Sequence, residues 1–244
     1  VRFTSERLLD DDVRERSFTL DGIPGLLWTP GSASAPTPLL LLGHPGGLRR
    51  MYPRLLARAR QSVAAGFAAA TLELPGSGNR PPTAGAAEAR ADLHRALSAG
   101  EPVSDALVDR LVLPLVDEAV PEWRAALDAL LPLPGIGTSV GYAGGVLAVG
   151  VRLVLLEPRI RAAVLFAGSF VPRGTVEEAR RLTVPLLVLL QWDDEGNDRQ
   201  QALALFDALG SREKTLHANT GGHTGVPSFE GDAGDRFFAR HLLT

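Results

Sequence analysis

The residues of this chain that could do chemistry sit at a few glycine-rich turns. One turn reads Gly141-Tyr142-Ala143-Gly144-Gly145, after an apolar run and before an apolar stretch that Pro158 closes. A strand, a sharp turn and a helix are expected there in succession, which is the setting of a nucleophile held at a strained tip. Small neighbours are needed at such a tip so that strand and helix can approach it. The central residue is Ala143, and a methyl group cannot attack anything. A literal G-x-S-x-G, with Ser139 at its centre, lies four residues earlier. Placing Ser139 at the tip would run a central strand through Pro132 and Pro134, where backbone donors are required. The register centred on Ala143 is therefore preferred, and Ser139 is read as a strand residue.

Further polar groups follow other apolar runs. Gln191-Trp192-Asp193-Asp194-Glu195 comes directly after the run at 186–190, and His223 lies in a Gly-rich loop beyond 214–218, which is expected to be the last strand. A polar loop that places one imidazole suits a general base, whose ring must reach both a nucleophile and an acid within about 3 Å. His217, inside that strand, is expected to be packed or paired, and His94 and His241 read as helix-surface residues. Gly43-His44-Pro45-Gly46-Gly47 forms a turn after the first buried run. Glu73 and Arg80 flank another turn, where a brace is preferred over substrate contact.

These turns need elements to position them. The runs at 38–43, 67–75 and 185–191 are bounded by Gly or Pro and too short for ordinary helices, so they read as buried strands. Those at 160–167 and 137–143 fit less forcefully, and 16–20 with 25–29 suggest an antiparallel start. Helical patterns lie between them. Pro53 is expected as the first residue of one helix, Thr175 as the cap of a short one in a capping box with Glu178, and Gly210 as the stop after 201–209. Continuous apolar strands alternating with helices imply an α/β fold, with a mostly parallel sheet covered on both faces and ligands beyond the strands' carboxyl ends. The segment 76–134 lacks a strand signal and is read as a helical cap inserted in a single domain spanning 1–244, with its clearest helix starting at Pro121.

Composition limits the partners. The 244 residues carry 25 Lys and Arg against 28 Asp and Glu, a net charge of −3, with no basic run, so nucleic acid is not an expected partner. Cys is absent, which removes disulfides, thiolate metal sites and a Cys nucleophile. The first residues alternate charge with apolar groups and do not read as a secretory signal. No apolar run approaches the roughly 20 residues that span a bilayer, so a cytoplasmic protein without a membrane partner is expected.

With the turns in this order, the chain resembles the α/β-hydrolase superfamily, in particular dienelactone-hydrolase-like serine esterases and lactonases, from about residue 39 to the end. The resemblance implies a triad in the order nucleophile, acid, histidine, with slots at Ala143, Asp194 and His223, and Asp193 as the rival acid. It implies an oxyanion hole from the backbone N–H groups of Gly46 and Gly144, since Pro45 has none. Tyr142, Trp123 and Trp192 are candidates for the substrate pocket, and His44 is a turn residue rather than a base. The implied reaction is hydrolysis of a carboxylic ester, thioester or lactone through an acyl-enzyme, with a small-molecule substrate and no metal or organic cofactor. Ala143 stands where the serine belongs, so this chain is expected to be inactive or nearly so; an engineered Ser-to-Ala change would explain why the other parts are present. The alternative is a natural pseudoenzyme that uses the pocket to bind a ligand or promote a non-covalent reaction.

Overall fold

A computed structural model describes residues 1–32, 35–168 and 170–243. The five apolar runs and the segment after them form parallel strands: β4 (Thr37–Gly43), β5 (Ala68–Leu72), β6 (Ile136–Gly144), β7 (Ile160–Phe166), β8 (Leu186–Gln191) and β9 (Lys214–Asn219). Ahead of them, β1 (Arg2–Leu8), β2 (Val13–Leu20) and β3 (Ile23–Pro30) pair antiparallel, and β3 joins β5 in the same sense. The single sheet runs β1-β2-β3-β5-β4-β6-β7-β8-β9 among the described residues. Asp21 and Gly22, both at positive φ (49° and 84°), close the two-residue turn between β2 and β3, the conformation that matches the twist of a hairpin. β1 carries no apolar alternation because nearly all its residues are exposed, which is why the sequence pattern did not disclose it.

Side chains alternate between two cores, as the period of two requires. Leu39 and Leu41 of β4 face one cluster, while Leu40 and Leu42 face the other. The first core is covered by α3 (Asp105–Leu130), α4 (Leu147–Leu156), α5 (Arg173–Ala179) and α6 (Arg199–Ala208); the second by α1 (Leu48–Ala64) and α7 (Phe229–Leu242). Burial on both faces explains why β4, β5, β7 and β8 are nearly continuous apolar runs.

The starts of α1, α5 and α6 depart from the expectation. α1 begins ahead of Pro53, and the Leu48 N–H donates to Glu73 Oε1 at 2.9 Å, a cap supplied by a carboxylate 25 residues on. α5 begins at Arg173, and Thr175 lies buried inside it with its own N–H bonded to Pro172 O, so it is not the cap. α6 is capped by Asp198, whose side chain accepts from the Gln200 and Gln201 N–H groups.

The segment 76–134 holds α2 (Ala86–Ser98) and α3. α3 starts at a Ser104 cap and continues through Pro114 and Pro121, well before the Pro121 start that composition suggested. It buries Val116, Trp123 and Leu127 in the core it shares with Leu41 and Tyr142, and α2 rests on it. Among the described residues no helix is long and apolar enough to cross a membrane.

Candidate active site

The loops after β8 and β9 are tied together by four hydrogen bonds. Trp192 N–H donates to Asn219 O (2.7 Å), Asp193 N–H to Gly221 O (3.2 Å), Gly221 N–H to Asp193 Oδ2 (3.2 Å) and Gln191 Nε2 to Gly222 O (3.3 Å). This lacing sets His223 over the acid loop. His223 Nδ1 lies 2.7 Å from Asp194 Oδ2, and Asp194 Oδ1 accepts from the Gly196 N–H at 3.0 Å. Asp194 is therefore the carboxylate that reaches the imidazole, while Asp193 braces the loop. An ionised carboxylate only accepts, so Nδ1 carries the proton and Nε2 keeps the lone pair a base needs. The Asp194 side chain is 2% exposed and that of His223 52%, so a buried acceptor orients an accessible ring. Phe166, at the end of β7, meets the ring edge-on at a centroid distance of 5.6 Å.

On the other side, Ala143 and Gly144 still belong to the sheet, opposite Leu42 and Gly43 of β4, and Ala143 also faces Val164 of β7. Ala143 is 8% exposed and belongs to the core cluster of Leu42, Val164 and Phe237. The left-handed backbone expected at the turn's centre falls one and two residues later, at Gly144 (φ 73°) and Gly145 (φ 79°). A Cβ on Gly145 would stand 2.8 Å from Gly43 Cα, so only glycine lets the two strand ends approach. Ser139 lies within β6, as read from the sequence.

The Gly43–Gly47 turn follows β4. His44 is 1% exposed, and its Nε2 lies 2.8 Å from Leu72 O. Burial pulls its pKa below the usual histidine value, which suits a neutral turn residue. Gly46 is open, with Met51 the nearest neighbour of a Cβ built there, and Gly47 precedes the first turn of α1.

Of the pocket candidates, Tyr142 (1% exposed) and Trp123 (2%) are enclosed in the core on the α3 face and present almost no surface to a ligand. Trp123, expected on a helical cap that could line an acyl pocket, belongs instead to the apolar stripe that α3 packs onto the sheet. Trp192 is 41% exposed beside the acid loop, with the Arg199 guanidinium 4.3 Å from its ring centroid. Glu73 and Arg80 are both braces: Glu73 caps α1, and Arg80 pairs with Glu122 while donating to Glu73 O. No group of three or more His, Cys, Asp or Glu able to hold a metal occurs among the described residues.

The sequence reading passed over Arg58. Its Nη1 donates to Gly43 O and its Nη2 to Ala143 O, both at 2.7 Å, joining the carboxyl ends of β4 and β6. The available signal was its register, because Leu55, Ala59 and Ser62 are buried on α1 and position 58 falls within that stripe.

No family model matches the chain, and no curated protein does. Solved structures do. A cold-adapted esterase from an Arctic intertidal metagenomic library is 28% identical over 99% of this chain and 100% of its own, with a TM-score of 0.77. Acetyl xylan esterase 1 from Thermoanaerobacterium sp. JW/SL YS485 is 15% identical, covers 98% and 87% of the two chains and scores 0.66. A putative dienelactone hydrolase from Klebsiella pneumoniae is 14% identical, covers 94% and 99% and scores 0.67. Sheet order and these likenesses lead to one conclusion: the chain has the α/β-hydrolase fold in its esterase-like form.

Proposed function

We propose that this chain is built for serine-type hydrolysis of a carboxylic ester, thioester or lactone, with Ala143 in the place of the nucleophile. The observation that carries this reading is the His223 Nδ1 to Asp194 Oδ2 contact of 2.7 Å at the carboxyl edge of the sheet, with the imidazole open to solvent. In the serine form, His223 Nε2 accepts the hydroxyl proton as oxygen attacks the carbonyl carbon, and the resulting imidazolium then protonates the leaving alcohol, thiol or ring oxygen. The same nitrogen next takes a proton from water as the water oxygen attacks the acyl carbon, and it returns that proton to the serine oxygen as the carboxylic acid leaves. Asp194 holds the ring and its developing charge. Gly46 and Gly144 are the backbone donors assigned to the oxyanion. With a methyl group at residue 143 no acyl-enzyme forms, and turnover is absent or nearly so.

One observation favours the second reading, a pseudoenzyme that binds a ligand without covalent chemistry. Ala143 remains within the ladder while the left-handed conformation falls on Gly144 and Gly145. A hydroxyl at residue 143 would then stand at a strand end rather than at the strained tip. Hydrolysis of p-nitrophenyl butyrate by Ala143→Ser separates the two readings. Turnover well above the unmodified chain supports the hydrolase, and an inert variant that still binds small carboxylates or esters supports the pseudoenzyme.

A further inference from the structure

We propose that Arg58 is the positioning residue of the nucleophile turn, its guanidinium fixing the peptide planes at the ends of β4 and β6. This rests on the oxyanion role given above to Gly144. The planar fork spans two carbonyls from distant parts of the chain, Gly43 O and Ala143 O, each at 2.7 Å. In a trans peptide the C=O and the following N–H point in opposite directions. Holding Ala143 O toward α1 therefore aims the Gly144 N–H the other way. The guanidinium also packs directly beneath the turn, because a Cβ on Gly144 would stand 3.1 Å from Arg58 Nη2. Gly144 is at φ 73°, and its peptide planes have no side chain of their own to hold them.

Satisfying two strand-end carbonyls does not require a cation, since an amide or a water does the same. Here burial lowers the Arg58 pKa, and no carboxylate is bonded to it among the described residues. The charge is thus left without a counter-ion beneath the turn, where its field favours negative charge developing above. Arg58 does not touch the reacting atoms; it acts through the backbone it holds.

The test is Arg58→Gln and Arg58→Lys, each made in Ala143→Ser and in the unmodified chain, with thermal unfolding measured throughout. With p-nitrophenyl butyrate, Arg58→Gln should lower kcat about tenfold to a hundredfold, a misaimed oxyanion donor being the cause, while KM stays within about twofold. Arg58→Lys should fall between, since an ammonium on a flexible stem lacks the two-pronged planar geometry of the guanidinium; if the Gln variant does not fold, the Lys variant alone carries the kinetic test. An unchanged kcat, or KM rising in step with the loss of kcat, overturns the proposal. In the unmodified chain, Arg58→Gln (or Arg58→Lys) should shift the Gly144 amide and Ala143 carbonyl NMR resonances while those of β1 stay in place. If Ala143→Ser is inert the hydrolase reading fails, and positioning is judged on these resonances alone; finding them unmoved overturns it.

Discussion

Two histidine–carboxylate pairs lie within a few residues of each other and differ in what surrounds them. His223 Nδ1 to Asp194 Oδ2 and His217 Nδ1 to Glu230 Oε2 are both 2.7 Å, and the carboxylates are almost equally buried, at 2% and 3%. His217, however, is part of β9, and Glu230 sits in the first turn of α7, where its other oxygen accepts from Asn219 Nδ2. Both donors on that carboxylate come from one strand, so the pair fastens α7 to the sheet. Asp194 takes its second bond from Gly196 within its own loop, and His223 lies beyond the last strand with its ring half exposed. A short imidazole–carboxylate contact therefore does not identify a base. The role proposed for His223 rests instead on its place at the carboxyl end of the strands, with its ring half exposed.

The largest expected difference between the pairs is catalytic. In Ala143→Ser, His223→Ala should remove about 10³-fold or more of kcat on p-nitrophenyl butyrate, as loss of a triad member does, whereas His217→Ala should stay within about threefold. Equal losses would erase the distinction. Next, Asp194→Asn in that background should cost about 10²–10⁴ in kcat by favouring the wrong imidazole tautomer, with KM little changed in steady-state kinetics. Glu230→Gln should keep kcat but destabilise the fold by about 1–3 kcal/mol in urea unfolding, because His217 and Asn219 lose a buried carboxylate acceptor.

A third carboxylate sharpens the contrast by pairing with arginine. Arg159 hydrogen bonds hold the Glu157 carboxyl below its usual range, with Arg124 assisting. Since its folded pKa is depressed, its stabilisation is present above the ordinary carboxylate range and is lost as pH falls through the folded value. Glu157→Gln should lower Tm by about 2–4 °C at pH 7, the gap from the parent closing below about pH 4. A gap that persists in acid would mean that packing, not charge, is what Glu157 provides.

The fold was legible where one element declares itself. The apolar runs of β4, β5, β7 and β8 declared themselves because burial on both faces leaves no other pattern, and the order of the turns put Asp194 and His223 within reach of each other. What stayed hidden depends on partners far along the chain. The start of α1 is set by Glu73, the depth of α3 by its packing on the sheet, and the link between Gly43 and Ala143 by Arg58 from a helix whose other inward residues are small or apolar. Conformation at the turn was also out of reach: five residues with three glycines allow several φ assignments, and contact with Gly43 places the left-handed pair at 144 and 145.

Fluorophosphonate labelling, mapped by mass spectrometry, tests most directly whether a base and a nucleophile slot meet in this fold. Ala143→Ser should take up about one label per chain at residue 143, His223→Ala in the same background should abolish it, and the unmodified chain should take none. A folded Ala143→Ser that stays unlabelled, or labels equally well without His223, would contradict the account.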